Sequence, residues 1–178
     1  CMDQLTGWNN LPEDLPLPAH EKLLSEGTGF RNYHVTQSPC GPSRAVIYTG
    51  QHSQNTGVYA NSRYKRLPDT YDGPPAVALQ PGFPTIGSML RTGGYYTAYK
   101  GKWHLSNIAQ TLPDTPNIYP NAADALEPYG FSDYSFNGEH IGLTWGGHLN
   151  DGVTTADAIN LIRHFGDGSA GDNPWFLA

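Results

Sequence analysis

Glycine and proline punctuate this chain so densely that most of its elements must be short. There are 21 glycines and 15 prolines in 178 residues, about a fifth of the chain against roughly 12% on average. Helical and extended patterns alternate between these breaks. Pro18 to Glu26 reads as a helix, with Pro18 suited to the first turn, Leu23 and Leu24 as an apolar face and Gly27 as a stop. Phe30 to Thr36 alternates through Phe30, Tyr33 and Val35, which suggests a strand. Ser38 to Pro42 has turn composition, and Ser43 to Tyr48 reads as a short helix ended by Gly50. Thr85 to Arg91 reads as a helix stopped by Gly93-Gly94, and Tyr95 to Tyr99 as a strand. Segments 61–82 and 106–150 show no period. Asp151 to Phe165 is the clearest helix, with Val153, Ala156, Ile159, Ile162 and Phe165 recurring every third residue. Trp175 to Ala178 opens an apolar strand. This alternation predicts an α/β fold, a sheet with helices packed on it.

Composition narrows the function. Charged residues are 15% and aromatics 12%, which excludes a solvated disordered chain. No apolar run approaches the roughly 20 residues of a membrane span, and Cys1-Met2-Asp3-Gln4 does not open a signal peptide. The net charge of −6 is unevenly spread: residues 1–102 hold nine of the ten Lys and Arg, and Arg163 alone stands in the rest. An acidic second half argues against a nucleic-acid groove, whereas the first half can hold an anionic small molecule. Two cysteines, Cys1 and Cys40, make no disulfide framework. The chain starts without Met and stops within an apolar run, so both ends read as cut.

Two stretches carry chemistry. Cys40-Gly41-Pro42-Ser43-Arg44, followed by Tyr48-Thr49-Gly50, places a thiol at a turn feeding a helix, with an arginine one helical turn on. Free N–H groups at a helix start favour an anion, and a guanidinium fork suits sulfate or phosphate. A buried structural cysteine in a Pro/Gly turn explains the same local pattern equally well. The second stretch, Gly93 to Leu105, ends a strand in Gly101-Lys102-Trp103-His104. Ligands of open α/β sheets gather where strands end. Lys102 would hold an anionic oxygen there and His104 would shuttle a proton, although solvated polar residues at a strand end are the commoner case.

Taken together and in this order, the two stretches resemble the signatures of the type I, formylglycine-dependent sulfatase family. Cys40-x-Pro42-Ser43-Arg44 with Thr49-Gly50 matches the first signature. Gly94-Tyr95 through Gly101-Lys102-Trp103-His104-Leu105 matches the second, with Ser106 where glycine is usual. Glu26-Gly27-Thr28-Gly29-Phe30-Arg31-Asn32 and Tyr129-Gly130-Phe131-Ser132-Asp133 resemble further family segments. The resemblance implies an alkaline-phosphatase-like α/β sheet flanked by helices, of which residues 1–178 would be the N-terminal portion of a single catalytic domain. It implies that a formylglycine-generating maturation enzyme, reading Pro42 and Arg44, converts Cys40 to an aldehyde. One hydroxyl of the hydrated aldehyde would attack the sulfur of a sulfate monoester and expel the alcohol. The second hydroxyl would then lose its proton, break the carbon–oxygen bond to the bound sulfate and restore the aldehyde.

The resemblance also assigns roles. Arg44 would hold the diol, Lys102 would contact the sulfate oxygens, and His104 would orient or deprotonate a diol hydroxyl. A divalent metal, Ca2+ ahead of Mg2+ or Mn2+, would be held by hard oxygens. Asp3 and Gln4 are its expected ligands, together with the oxygen that replaces the Cys40 thiol. The remaining ligands, and a further catalytic histidine, would belong to the family's second half, so these residues alone are expected to be inactive and not to form a stable monomer. The substrate would be a small-molecule or saccharide sulfate ester. A phosphonate or phosphate ester hydrolase with the same formylglycine is the nearest alternative, which the Lys102-Trp103-His104 combination disfavours, and a non-catalytic fragment with unmodified Cys40 is another. Glu139, His140, Trp145 and His148 are weaker candidates for lining a pocket. No compartment is assigned, with periplasm or secretion slightly ahead of cytoplasm.

Overall fold

A computed structural model describes residues 16–30, 32–61, 78–106, 124–134, 146–168 and 171–178, with 146–150 as backbone only. The chain divides into two compact units, Cys1–His34 and Val35–Ala178. In the first, helix α1 spans Pro18–Glu26, with Pro18 in its first turn and the Gly27 N–H closing it on the Leu23 carbonyl. A surface ion pair joins Lys22 to Glu26 at 2.8 Å. The strand expected over 30–36 does not form. Phe30, Tyr33 and Val35 are all exposed, and alternation alone makes no strand without a ladder partner beside it.

The second unit starts its first helix earlier than the sequence predicts. Helix α2 spans Cys40–Thr49, so Cys40 is its first residue and not part of a preceding turn. Pro42 is tolerated because first-turn N–H groups have no partner within the helix. One of those orphan donors, the Gly41 N–H, is taken by Asn61 Oδ1 at 2.8 Å. Gly50, at φ 65, ends the helix in the left-handed conformation that glycine adopts freely. A one-turn helix, α3, follows at Ser53–Thr56.

Helix α4 spans Ile86–Thr92, one residue on from the expected start, because Thr85 is its cap. The Thr85 hydroxyl accepts from the Ser88 N–H at 3.2 Å, and Ser88 Oγ accepts from the Thr85 N–H at 2.8 Å, a reciprocal capping box. Gly87 lets this helix lie directly on the 3-10 turn Glu127–Tyr129 and its end: a Cβ at Gly87 would stand 2.5 Å from the Gly130 carbonyl oxygen.

Strand β1, Tyr96–Ala98, pairs in parallel with β2, Trp175–Leu177, matching Tyr96 to Trp175 and Ala98 to Leu177. On its other side β1 meets Ser132 through a parallel bridge at Ala98. Between them runs α5, Gly146–Gly166, which starts before the expected Asp151. Its C-terminal Phe165 packs against Tyr96 and Trp175, with centroids 4.7 and 5.9 Å away.

The rest of its expected apolar face is turned outward. Val153, Ile159 and Ile162 are exposed, and the half-buried positions are Thr154, Asp157, Ala158, Leu161 and Phe165. A three-residue repeat on a 3.6-residue helix drifts by about 240° over four steps, so the five positions never shared one face.

The core is largely aromatic. Trp103, Tyr99, Phe131, Tyr129 and Tyr134 are buried with Leu79, Leu105 and Leu126, and Tyr48 packs against them. Trp103 stands within 6.0 Å, centroid to centroid, of Tyr48, Tyr99, Tyr129 and Phe131. Edge-on and tilted ring pairs of this kind favour one arrangement over others. Among the described residues, no helix is long and apolar enough to cross a membrane.

Candidate functional site

Both sequence signatures end at the aromatic core, and they meet through Arg44. Cys40, Arg44 and Tyr48 follow at i, i+4 and i+8 along α2, a spacing that lines up side chains on one helix face. The Cys40 thiol is exposed at the helix start, which removes the buried structural cysteine as an explanation. One turn on, Arg44 donates from Nε to the Trp103 carbonyl at 2.8 Å. Its Nη2 donates to the Lys102 carbonyl and to the Tyr99 hydroxyl. The guanidinium also lies over the Tyr48 ring, 5.5 Å from its centroid, a cation–π contact.

The second signature leaves the sheet at this point. Beyond β1, Tyr99 donates its N–H to Ser132 and Lys100 donates its N–H to Ala178, at 3.1 and 3.0 Å. Gly101 turns the chain at φ 101, which only glycine adopts without strain. The next three residues divide by role. Lys102 is exposed, Trp103 is fully buried and His104 is buried at 7%. His104 holds a left-handed φ of 53, a costly conformation for a non-glycine residue that concentrates at functional sites. Trp103 anchors the segment by donating its indole N–H to Ser106 Oγ at 2.8 Å. The Leu105 carbonyl accepts from the Leu79 N–H at 2.7 Å.

Lys100 does not belong with Lys102. Its ammonium donates to the Asp133 carbonyl at 2.5 Å, tying the strand to the 130–134 segment. Arg91 is likewise structural. It bridges Glu127 at 2.6 Å, Thr97 Oγ1 at 2.8 Å and Ser132 Oγ at 2.6 Å. Arg91 holds the Glu127 carboxyl below the usual carboxylate range.

Several participants were not singled out from sequence. Tyr99 accepts from Arg44, donates to the Lys102 carbonyl at 2.5 Å and shares a hydrogen bond with Tyr48 at 3.0 Å. Burial pushes the Tyr99 phenol up, against the opposing Arg44 charge, so it stays a protonated donor at working pH. The signal for Tyr48 was its i+4 spacing from Arg44. Ser106 had its signal in departing from the glycine of the resembled pattern. Asn61 had none, since its role comes from the fold.

The expected metal ligands Asp3 and Gln4 lie outside the described residues, as do Glu139, His140 and Trp145; the His148 side chain does too. Among the described residues, no three His, Cys, Asp or Glu side chains come together in a way that would hold a metal ion.

Known proteins are similar to this chain over much of its length. The family model named Sulfatase matches residues 6–178. A protein named uncharacterized sulfatase YdeN, from Escherichia coli K12, is 40% identical over 135 residues, covering 71% of this chain and 22% of that protein. A choline-sulfatase of Rhizobium meliloti is 33% identical over 172 residues, 91% of this chain and 29% of its own length. An N-acetylglucosamine-6-O-sulfatase of Bacteroides thetaiotaomicron is 31% identical over 147 residues, 83% of this chain and 23% of its own. The chain thus spans less than a third of the length of each of these relatives.

Proposed function

Because this chain belongs to the sulfatase family and its alkaline-phosphatase-like α/β fold, we propose that it forms the nucleophile-bearing part of a sulfuric ester hydrolase. The single observation that carries this is the Arg44 clamp. It joins the helix that starts with Cys40 to the backbone of Lys102 and Trp103, which supports reading the two stretches as parts of one site. Preorganised charge of this kind stabilises the negative charge that builds up as a sulfuryl group is transferred.

In this reading a maturation enzyme converts Cys40 to formylglycine, whose hydrate supplies the nucleophile. Arg44 holds that group in place. Lys102, exposed at the strand end, binds the sulfate oxygens and offsets charge on the departing alcohol. His104, fixed by its buried setting, holds or accepts a proton of the nucleophilic hydroxyl. A divalent cation, Ca2+ ahead of Mg2+ or Mn2+, would be held from this chain by Asp3, Gln4 and the modified Cys40, and would supply Lewis acidity toward the sulfate. Two side chains and the modified Cys40 fall short of the six to eight oxygens calcium takes, so residues 1–178 by themselves are proposed to be inactive. The substrate is proposed to be a small-molecule or saccharide sulfate ester, the class to which the names of the choline and N-acetylglucosamine relatives point.

The test is to express the complete reading frame with a formylglycine-generating enzyme and assay aryl, choline and sugar sulfates beside phosphate and phosphonate esters. Sulfate turnover that Cys40→Ala abolishes is the expected result. A preference for phosphonate or phosphate esters would move the protein to the neighbouring activity, and turnover unaffected by Cys40→Ala would overturn the covalent route.

A further inference from the structure

The Arg44 guanidinium has three nitrogens, and the structure occupies two of them. Nε is taken by the Trp103 carbonyl, and Nη2 by the Lys102 carbonyl and the Tyr99 hydroxyl. Among the described residues, Nη1 makes no hydrogen bond. A guanidinium is a rigid plane, so fixing Nε and Nη2 also fixes where Nη1 stands. Tyr99 is the hub of that fixation. Its one hydroxyl accepts from Nη2, donates to the same Lys102 carbonyl and meets the Tyr48 hydroxyl at 3.0 Å. Tyr48 in turn lies beneath the guanidinium. Tyr99 is itself buried, 1% exposed and packed edge-on against Trp103 and Phe131 at 5.4 and 5.3 Å.

We infer that Tyr99, backed by Tyr48, is the positioning residue of Arg44, locking it so that Nη1 is the one donor turned over to the reacting anion. This rests on the sulfatase reading above and deepens it, since it says which edge of Arg44 meets the nucleophile or the sulfate. Without the Tyr99 hydroxyl, Arg44 keeps the Trp103 and Lys102 carbonyls but loses its one side-chain acceptor, and the Lys102 carbonyl loses its tie to the core, so the plane is held less tightly. Binding of the ester, which Lys102 shares, changes little, whereas the geometry needed in the transition state is lost.

The experiment uses protein from the complete reading frame, matured at Cys40, with an aryl sulfate as the probe. Tyr99→Phe keeps the ring and removes the hydroxyl. It is expected to lower kcat about tenfold, the scale for losing a hydrogen bond to a charged group, with KM nearly unchanged. In an Arg44→Ala background the same substitution is expected to add no further loss, because partners acting through one group are non-additive. A purely structural role would instead lower the melting midpoint and cost the same factor in both backgrounds, which overturns the inference. Wild-type kcat in Tyr99→Phe beside a disabled Arg44→Ala overturns the inference alone. Wild-type kcat in Arg44→Ala overturns both the inference and the role given to Arg44. If Tyr99→Phe does not fold, Tyr48→Phe serves in its place: a kcat loss of the same kind, about threefold, supports the lock, and no loss overturns it.

Discussion

Ser106 accepts the indole N–H of Trp103 at 2.8 Å, and both side chains are buried. A glycine there would leave that N–H without this acceptor, so the departure from the resembled signature has a local purpose. The bond satisfies the indole N–H where the ring is buried in the aromatic core. Ser106→Ala should therefore destabilise the protein by about 1–3 kcal/mol, the cost of a buried donor left unpaired. Thermal unfolding measures this, and a midpoint equal to wild type would mean that another acceptor takes the indole.

Cys40 opens α2 with its thiol exposed. Expression with an active formylglycine-generating enzyme should yield a peptide in which the Cys40 sulfur is replaced by oxygen and two hydrogens are lost. Peptide mass spectrometry reads this directly. An intact thiol under those conditions would leave the site without its nucleophile.

Lys102→Ala and His104→Ala should each lower turnover of a sulfate ester by about 10²–10³, the scale for removing one preorganised charge stabiliser. His104 adds a second readout. Its φ of 53 suits glycine better than any residue with a Cβ. His104→Gly should thus be as inactive as His104→Ala yet more stable by up to about 1 kcal/mol. Equal melting midpoints would show that the local backbone bears no strain.

The Arg91–Glu127 pair makes stability depend on pH in a defined direction. Arg91 lowers the Glu127 carboxyl from its ordinary 4.5 in the folded state. A depressed acid contributes stability above its unfolded pKa and loses it as pH falls through the folded value. The melting midpoint should hold above pH 4.5 and decline below it, and Glu127→Gln should flatten that part of the decline. Because both groups are partly exposed, the effect should be small and weaken with salt. A pH profile identical in wild type and Glu127→Gln would remove the pair from the acid response.

What the sequence made legible was local. The helix at Pro18–Glu26 could be read to the residue, because its first-turn proline and its terminal glycine are both chemical signals. Strands β1 and β2 lie inside the expected Tyr95–Tyr99 and Trp175–Ala178. The failures needed information that no short window holds. Phe30 to Thr36 alternates like a strand but has no neighbour to pair with among the described residues. Helix α2 starts earlier, at Cys40, where the Gly41 N–H finds its acceptor in Asn61, far along the chain. The outward apolar positions of α5 follow from a period of three, which slides around a helix. Around Arg44, the two stretches that the motifs singled out do come into contact, through the Lys102 and Trp103 carbonyls. Tyr99 was hidden, because its role depends on where an arginine from another helix comes to rest.

The parallel pairing of Tyr96 with Trp175 has a consequence in time. A ribosome finishes β1 long before β2 exists, and parallel partners separated by so much chain form slowly. Every partner of Arg44 described above, from Tyr48 to Trp103, is made before then. The clamp between the two signatures can thus close while one edge of β1 still waits, open, for its neighbour. An open edge is where chains stick to one another. Slowing synthesis between residues 103 and 175 would prolong that exposure without touching a single residue of the site.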